Sequence, residues 1–531
     1  MRRIGRFALV ALELLVLSAL IVATRCANYE EVFVARNIYF TDADCYARMT
    51  RVRICAANPG TIVRHHDFEN FPTGTTPHTT APLDYAILLL SILLKPFTAH
   101  PVDFAGAIVS PLLALFGAWF LWWWSKQFRF RWVLLLLYAI SPIVVHATKL
   151  GRPDHQSLAL LLVSVGICSE LSLRRKVAGD PPSPSYGAAG TPAATGRSGW
   201  STVSGVAWSL AMWVSLYEPV ALFVAVMIAR LLENRDALIA PHRRIGWAIF
   251  AAILVVAAVV ERRLPLIPSG ALFWNWSGMV GEMAHVPLAS TIWFEWVGWG
   301  VVVVPFLAWR AFRTEREGAW VPALLLLSTF LLTNWQARWG AYFAVAVAVA
   351  LLLWLQSIHA RVAVFCLAIL SMFPIVAHWD RQLWPSEVEI ARQSEARLEA
   401  VHLREACVNL LSAERQPFLA PWWYSPAITY WSGQPGVAGS SHESLPGIVD
   451  SAEFFLAVGL EKAREIIDTR GVRWVIVYDA ERVTENSAGL LRAPIPAEPL
   501  CRILDRTPSQ APPFLLLAGQ TGTFKAYNVR K

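Results

Sequence analysis

Five charged side chains stand out because they lie in short polar segments between long apolar stretches. Asp42 and Asp44 follow the first apolar run, and Asp154 follows a Gly-Arg-Pro tripeptide. Glu282 lies in the sequence Gly-Glu-Met-Ala-His, and Arg338 lies in Trp-Gln-Ala-Arg-Trp. Ionisable groups this close to apolar helices are costly to maintain, so these positions are candidates for a functional site.

Three of the carboxylates would form an oxygen-rich site for Mg²⁺ or Mn²⁺ if helix packing brought Asp44, Asp154 and Glu282 together. Arg338 beside such a site would bind a phosphate group through paired hydrogen bonds. Together, these groups would hold a lipid-linked phosphate while the metal stabilises charge on the leaving group. Taken singly, each carboxylate is more often a helix cap or a solvated loop residue, so spacing alone does not establish the site.

The elements that must position these residues are membrane helices. Of the 531 residues, 56% are hydrophobic and only 16% are charged, against roughly 25% charged residues in soluble proteins. Several apolar runs reach the length of about 17 residues or more that crosses a bilayer as a helix. The net charge of +8 is concentrated in short segments between these runs, as the positive-inside rule expects. This distribution argues against nucleic-acid binding.

The first apolar run fixes the predicted topology. It follows a basic N-terminal segment and ends near Ala23 without a good cleavage site, which predicts an uncleaved helix whose N-terminus is inside. Residues 25–101 then form the first outer loop. Within it, residues 82–98 are expected to lie along the membrane interface as an amphipathic helix, because a crossing here would move the later basic loops outside.

The remaining spans are predicted where further apolar runs occur, for a total of about eleven to thirteen helices. An odd number of spans puts the C-terminus outside. Residues 174–198 are rich in Pro, Gly and Ser and are predicted to be a cytoplasmic linker. The spans that follow the first one are expected at these positions: 102–124, 132–149, 155–173, 200–217, 219–232, 245–261, 292–312, 319–333, 341–357 and 362–379.

The composition changes after residue 379, where charges become frequent. The pattern predicts a helix over 456–467, a helix stop at Gly471 and a strand over 473–478. We therefore expect a polytopic α-helical membrane domain over residues 1–379 and a C-terminal α/β domain over residues 380–531 on the outer face.

Seven cysteines occur without any metal-binding spacing. On the predicted topology five of them lie outside, where disulfides can persist. Cys45–Cys55 and Cys407–Cys501 are possible pairs, and free or buried thiols are the equal alternative.

Several of these segments, taken in order, resemble the catalytic subunits of oligosaccharyltransferases, which belong to the GT-C class of membrane glycosyltransferases. The Asp-Cys-Tyr-Ala run from Asp44 looks like the Asp-x-Tyr that opens the family's first outer loop. Residues 66–74 end in Phe-Pro-Thr-Gly, similar to the family's (Tyr/Phe)-Pro-x-Gly, and Pro-Leu-Asp-Tyr follows at 82–85. Asp154-His155 is similar to the second acidic motif, Glu282 to the glutamate of a later outer loop, and Arg338 to a phosphate-contacting arginine.

The resemblance implies roles for these residues. Asp44, Asp154, Glu282 and His155 would hold Mn²⁺ or Mg²⁺, with Asp44 and Glu282 also engaging the acceptor. Arg338 would bind the phosphate of a polyprenyl-linked glycan during an inverting transfer, for which positioning and the metal's Lewis acidity would be the main contributions.

One motif departs from the family. Where the family carries Trp-Trp-Asp-Tyr-Gly, this chain has Trp422, Trp423 and Tyr424 followed by Ser-Pro, so the residues expected to recognise the acceptor lack the aspartate. Recognition of an Asn-x-Ser/Thr acceptor through its hydroxyl is therefore in question, whereas the donor chemistry is unaffected.

The resulting hypothesis is a single-subunit glycosyltransferase of the inner (plasma) membrane. Its partners would be a polyprenyl-linked glycan donor, a protein or peptide acceptor and membrane lipid, with the C-terminal domain periplasmic or extracellular. A GT-C enzyme acting on a lipid, polysaccharide or hydroxyl acceptor is one alternative. A transporter or flippase, or an inactive scaffold, is another, although no internal repeat supports transport.

Overall fold

The computed structural model describes residues 2–173, 195–263, 269–314, 319–412 and 414–530. Most of the predicted linker at 174–198 lies outside these ranges. Within them, the chain is mainly helical up to residue 383, and a second, smaller region combines helices with a four-stranded sheet.

The helices of the first region follow the order of the apolar runs, and two very short strands pair after α2. The elements are α1 (Arg2–Arg25), α2 (Tyr29–Val32), β1 (Phe33–Val34), β2 (Asn37–Ile38), α3 (Ala43–Ala57), α4 (Ala81–Leu94), α5 (Pro101–Ser125), α6 (Arg131–Ile140), α7 (Pro142–His146), α8 (His155–Ser172), α9 (Thr195–Val214), α10 (Tyr217–Glu233), α11 (Arg235–Ile239), α12 (Pro241–Glu261), α13 (Ala271–Ser277), α14 (Ile292–Val297), α15 (Gly300–Thr314), α16 (Trp320–Trp335), α17 (Gly340–Trp354), α18 (Arg361–Ser371) and α19 (Phe373–Leu383).

Membrane-spanning helices are confirmed, and every predicted span coincides with a helix or a pair of consecutive helices. Among the described residues, five helices are long and apolar enough to cross a membrane, or up to seven if each of two bent helix pairs counts as one span. The bends of 59° between α6 and α7 and of 41° between α18 and α19 interrupt runs that hydropathy reads as continuous. The larger count of about eleven to thirteen spans rests on shorter helices and stays a prediction.

Helix α4 corresponds to the predicted interfacial segment. Its 14 residues give a length of about 21 Å, which is less than the hydrocarbon core of about 30 Å. Leu89, Ile92, Leu93 and Phe97 are exposed along and just after it. Its length fits a helix that does not cross, and its position at the interface stays a prediction.

Helix α17 lies at the centre of the membrane bundle and is buried along almost its whole length. It is apolar on all sides, a pattern typical of a fully enclosed helix. The short turn Ala337–Trp339 directly precedes it. Packing of α17 therefore fixes the position of Arg338 at one end of the bundle.

The C-terminal region is an α/β domain, as predicted. Its sheet has the strand order β3-β4-β6-β5, in which β3 runs parallel to β4 and the other pairs are antiparallel. Its elements are α20 (Glu387–Ala406), β3 (Phe418–Leu419), α21 (Ser425–Ser432), α22 (Leu445–Leu456), α23 (Leu460–Arg470), β4 (Trp474–Val477), α24 (Ala480–Leu491), α25 (Leu500–Arg506), β5 (Leu515–Thr521) and β6 (Phe524–Val529).

Local expectations in this domain are largely confirmed. Strand β4 lies within the predicted range, and Gly471 ends α23 with φ +62°, a left-handed conformation that favours glycine. The helix predicted over 456–467 is wrong in its start, because α22 ends at Leu456 and α23 begins at Leu460. Ala457, which follows α22, has φ −56° and ψ 135°, a non-helical conformation that ends the helix.

Residues 25–101, predicted to be the first outer loop, share one hydrophobic core with the C-terminal domain. Tyr46 and Met49 of α3 pack in the same cluster as Ile428 of α21 and Val475 of β4. Arg470, at the end of α23, reinforces the contact by donating hydrogen bonds to Asn70 Oδ1 at 3.1 Å and Phe71 O at 3.0 Å. The two segments are far apart in sequence, and their contact assembles the site described below.

Replacing Arg470 by alanine is expected to destabilise this contact by about 3 kcal/mol, because it leaves Asp450 and two loop acceptors without their buried cation. Thermal unfolding in detergent, with limited proteolysis, measures the loss. The matched control is Arg464→Ala on the same helix, whose exposed pair with Asp468 contributes less than about 1 kcal/mol. Equal effects of the two substitutions would contradict this assignment.

All seven cysteines are free thiols, so neither possible disulfide forms. Cys45 and Cys55 lie on the same helix, α3, and a rise of about 1.5 Å per residue puts them about 15 Å apart, too far for an S–S bond. Cys501 instead contacts Thr484 Oγ1 at 2.9 Å, and Cys407 donates to Leu403 O at 3.1 Å.

Candidate active site

The N-terminus of α3 positions the first pair of carboxylates. Asp42 caps the helix, since its Oδ1 accepts the Cys45 N–H at 3.0 Å. Asp44 falls in the first turn, and its side chain remains accessible to solvent although protein surrounds it. Asp42 is therefore mainly a structural cap, and Asp44 is the carboxylate of the pair that can meet a substrate.

The guanidinium of Arg152 joins three of the acidic side chains. Its Nη1 lies 3.1 Å from Asp42 Oδ2, and its Nη2 contacts Glu282 Oε1 and lies 3.8 Å from Asp154 Oδ2. Glu282 also accepts a hydrogen bond from Gln156 Nε2 at 2.8 Å. The acidic residues predicted from distant segments are thus brought together, with an arginine between them.

Asp154 caps α8 and is held in its ionised form. Its Oδ1 lies 2.6 Å from both the backbone nitrogen and Nδ1 of His155. Burial opposes ionisation, but His155 and the charges of Arg152 and Arg48 hold the pKa of Asp154 well below its usual range. Asp154 is therefore a fixed negative charge at this edge of the bundle.

Arg338 lies next to the same region and forms an ion pair with Glu218, at the start of α10. Its Nε is buried without a hydrogen-bond partner, and so is Nε2 of His155. Both side chains interact electrostatically with Glu218. The guanidinium nitrogen is a donor suited to an additional anionic ligand, and so is the imidazole nitrogen when the ring is doubly protonated.

His78 of the first loop and two residues of the C-terminal domain, His442 and Glu443, form a further group of candidate metal ligands. Nδ1 and the backbone N–H of His78 each lie 2.8 Å from Glu443 Oε1. His442 Nε2 lies 3.5 Å from the same oxygen. Although burial opposes it, the charge and hydrogen bond of Glu443 raise the pKa of His78. Among the described residues, His78, His442 and Glu443 are the group whose ligand atoms converge closely enough to hold a metal ion.

The same segment of the C-terminal domain meets Asp44. Although the Asp44 side chain is accessible to solvent, desolvation by the surrounding protein raises its pKa to about 6, assisted by the charges of Asp42 and Asp154, while a hydrogen bond with Ser440 partly offsets the shift. The Ser440 backbone N–H donates to Glu69 Oε1 at 3.1 Å. Burial raises the pKa of Glu69 to about 7. Asp44 can therefore take up or release a proton close to neutral pH.

If Asp44 acts in its ionised form, activity is expected to fall as the pH drops through about 6, because the raised pKa leaves this carboxyl protonated below that value. Asp42→Asn removes a negative neighbour while keeping a good helix cap, so it should move the acidic limb to lower pH. Ser440→Ala removes a hydrogen bond to the carboxylate and should move the limb to higher pH. A pH–rate profile measures both shifts, and shifts in the same direction would contradict the role of Asp44.

The expected metal ligands Asp44, Asp154, Glu282 and His155 do not converge in this way. Within the described ranges, no three of these four residues bring their ligand atoms within 4.8 Å of one another, the spacing that holds for His78, His442 and Glu443. The reason is visible in the contacts: Asp154 and Glu282 share the guanidinium of Arg152, and Asp44 interacts with Ser440 instead. As placed, these side chains do not fit a divalent cation.

The three residues expected to recognise an acceptor lie in different surroundings. Trp422 packs 6.2 Å from Trp276, ring centre to ring centre, and its Nε1 is buried without a partner. Trp423 Nε1 donates to the Tyr478 hydroxyl at 2.9 Å. Tyr424 packs against Tyr478 at 4.9 Å. Trp422 therefore borders the loop that carries Glu282, whereas the other two pack within the C-terminal domain.

Sequence reasoning missed five residues of this region: His78, Arg152, Glu218, His442 and Glu443. Glu218 stands before a proline and resembles an ordinary turn residue. His78 and Glu443 are separated by 365 positions along the chain, so no local pattern connects them. Arg152 lies in the second acidic motif, two residues before Asp154. Its positive charge beside an acidic residue was the one feature of the sequence that could have indicated an ion pair.

No protein-family model matches this sequence, and a comparison with curated proteins finds no significant relative. Solved structures do match. The oligosaccharyltransferase of Archaeoglobus fulgidus in complex with zinc and sulfate has 15% identity and a TM-score of 0.62, over 88% of this chain and 67% of that chain. The AglB oligosaccharyltransferase of the same organism, with an inhibitory peptide and dolichol-phosphate, has 13% identity and a TM-score of 0.61, over 90% and 70%.

ArnT from Cupriavidus metallidurans, bound to undecaprenyl phosphate, has 12% identity and a TM-score of 0.57, over 98% of both chains. At these identities the likeness concerns the fold. The chain is a polytopic helical protein with the fold of GT-C membrane glycosyltransferases, and the resemblance seen in its sequence is confirmed at that level.

Proposed function

We propose that this chain is a membrane glycosyltransferase that transfers a glycan from a polyprenyl-(pyro)phosphate carrier to a protein acceptor on the outer face of the plasma membrane. One observation carries the proposal: Asp154 and His78 each interact electrostatically with both Asp44 and Arg338. A carboxylate that can accept a proton and a guanidinium that can bind phosphate therefore lie in one small region.

In the proposed reaction, a nucleophilic atom of the acceptor attacks the anomeric carbon of the carrier-linked sugar. The new glycosidic bond forms as the bond from that carbon to the phosphate oxygen breaks, so a single displacement inverts the anomeric centre. The acceptor's proton passes to the Asp44 carboxylate, and the polyprenyl (pyro)phosphate leaves with the bonding electron pair.

Arg338 would stabilise the leaving phosphate. Its buried Nε is a donor without a protein partner, and Nε2 of His155 is a second such donor when the imidazole is doubly protonated. Charge-assisted hydrogen bonds to a phosphate strengthen as negative charge develops on the leaving oxygen. Glu282 and Asp154, held by Arg152, would shape the acceptor side of the site.

A divalent metal would be held by His78, His442 and Glu443 rather than by the acidic residues expected from the sequence. Glu443 Oε2 is buried with no hydrogen-bond partner, so a cation would satisfy it. Two imidazoles and one carboxylate suit Zn²⁺ or Mn²⁺ better than Mg²⁺, which prefers oxygen ligands. Such an ion would add positive charge beside the donor phosphate.

A second candidate differs only in the acceptor: a lipid, polysaccharide or other hydroxyl group. It is favoured by the missing aspartate after Trp423 and by the packing of Trp423 and Tyr424 against Tyr478, which turns them away from a recognition role.

Mass spectrometry of a strain with and without this chain separates the candidates. Outer-face glycopeptides and glycolipids are compared, and the deletion strain is complemented with the wild-type chain as the control. Loss of protein-linked glycans on deletion supports the first candidate, and loss of a modified lipid or polysaccharide supports the second. Unchanged glycopeptides, glycolipids and polysaccharides would overturn the proposal that the chain is a transferase.

A further inference from the structure

The acidic site already contains a buried cation that belongs to the protein. The Arg152 side chain is only 4% exposed and lies against Asp42, Asp154 and Glu282. Its Nη1 also lies 3.1 Å from His146 Nε2. No other cation in these contacts bridges all three carboxylates, although His155 and Arg48 also stabilise the charge of Asp154.

The backbone that carries Arg152 is fixed at several points. Gly151 has φ +73°, and a Cβ added there would lie 2.6 Å from Val32 Cγ2. Its N–H donates to Ala107 O at 2.9 Å, and its carbonyl accepts from Thr41 N at 3.0 Å. The Arg152 carbonyl accepts the Ser110 hydroxyl. Helix α5 and the segment before α3 thus hold the turn, and the guanidinium is preorganised.

A divalent cation bound by Asp154 and Glu282 would have to lie within a few ångströms of this guanidinium, since both carboxylates contact it. Like charges at such a separation repel, and the guanidinium is only 4% exposed, so solvent screens this repulsion poorly on its side. The guanidinium and the metal are therefore mutually exclusive occupants of the same position.

We propose that Arg152 is the resident cation of the acidic site and occupies the position where Mn²⁺ or Mg²⁺ was expected. It holds Glu282 by a charge-assisted hydrogen bond and Asp42 and Asp154 by ion pairing, and these carboxylates do not act as metal ligands. The inference rests on the proposed function in one respect: it takes the acidic site as the place where the reaction occurs. The inference itself concerns whether this site binds a metal ion, and not whether the chain transfers a glycan.

Mn²⁺ binding to the purified full-length chain, followed by electron paramagnetic resonance, tests the inference without any measurement of activity. The wild type and Asp154→Asn should bind the same amount of Mn²⁺, including any bound at His78, His442 and Glu443. Arg152→Gln should gain Mn²⁺ binding, and the double variant Arg152→Gln/Asp154→Asn should lose that gain.

Loss of Mn²⁺ binding on changing Asp154→Asn in the otherwise wild-type chain would overturn the inference, because it would show a metal at the acidic site beside Arg152. A folded Arg152→Gln protein that gains no binding would overturn it as well. If Arg152→Gln does not fold, the wild type compared with Asp154→Asn and Glu282→Gln decides the question alone. A failure of transfer in any strain leaves this result unaffected.

Discussion

Replacing Asp44 by asparagine is expected to reduce glycan transfer by about 10³-fold. Asparagine has nearly the same size and can still accept the hydrogen bond from Ser440, but it cannot take a proton from the acceptor. Loss of general-base catalysis typically costs a factor of about 10²–10⁴. The measurement is quantitative mass spectrometry of transferred glycan in strains that express equal amounts of the two proteins.

Asp67→Asn provides the matched control for this substitution. Asp67 lies in the same outer loop, but its side chain is 47% exposed and pairs with Arg415. Such exposed pairs contribute little, so transfer should stay near the wild-type level. Retention of a tenth or more of the activity by Asp44→Asn would exclude this residue as the proton acceptor.

Replacing Arg338 by glutamine is expected to weaken donor binding by about 10- to 150-fold, because a charge-assisted hydrogen bond contributes about 1.5–3 kcal/mol. Undecaprenyl phosphate serves as the probe, and its dissociation constant is measured by thermal shift in detergent. The single substitution also leaves the buried Glu218 without its cation, so a loss of stability should accompany the loss of affinity.

The double variant Arg338→Gln/Glu218→Gln separates these two effects. It removes both charges, so thermal stability should recover while the affinity for undecaprenyl phosphate stays low. Arg381→Gln is the control, because Arg381 is 67% exposed and pairs with Glu295 away from Glu218. If the double variant regained affinity together with stability, Arg338 would be a structural residue and the donor phosphate would bind elsewhere.

The fold class follows from the sequence by itself. Apolar runs long enough to span a bilayer, and the change in composition near residue 379, predicted a helical membrane region followed by an α/β domain. Strand β4 and the helix stop at Gly471 were also predictable, because strand propensity and the left-handed conformation of glycine act over a few residues. The number of spans was harder to predict from the sequence. A bend such as the one between α6 and α7 decides whether two helices count as one span, but it does not change the hydropathy of the run.

The acidic residues could be nominated from the sequence, but their relations depend on tertiary structure. Asp42, Asp154 and Glu282 come from three distant segments, and only packing puts Arg152 between them. His78 meets Glu443 because the first outer loop and the C-terminal domain share a core. Glu218 pairs with Arg338 because α10 packs against α16, the helix that precedes Arg338. Hydropathy and propensity are local properties, whereas the partner of a buried charge is decided by which surfaces pack together.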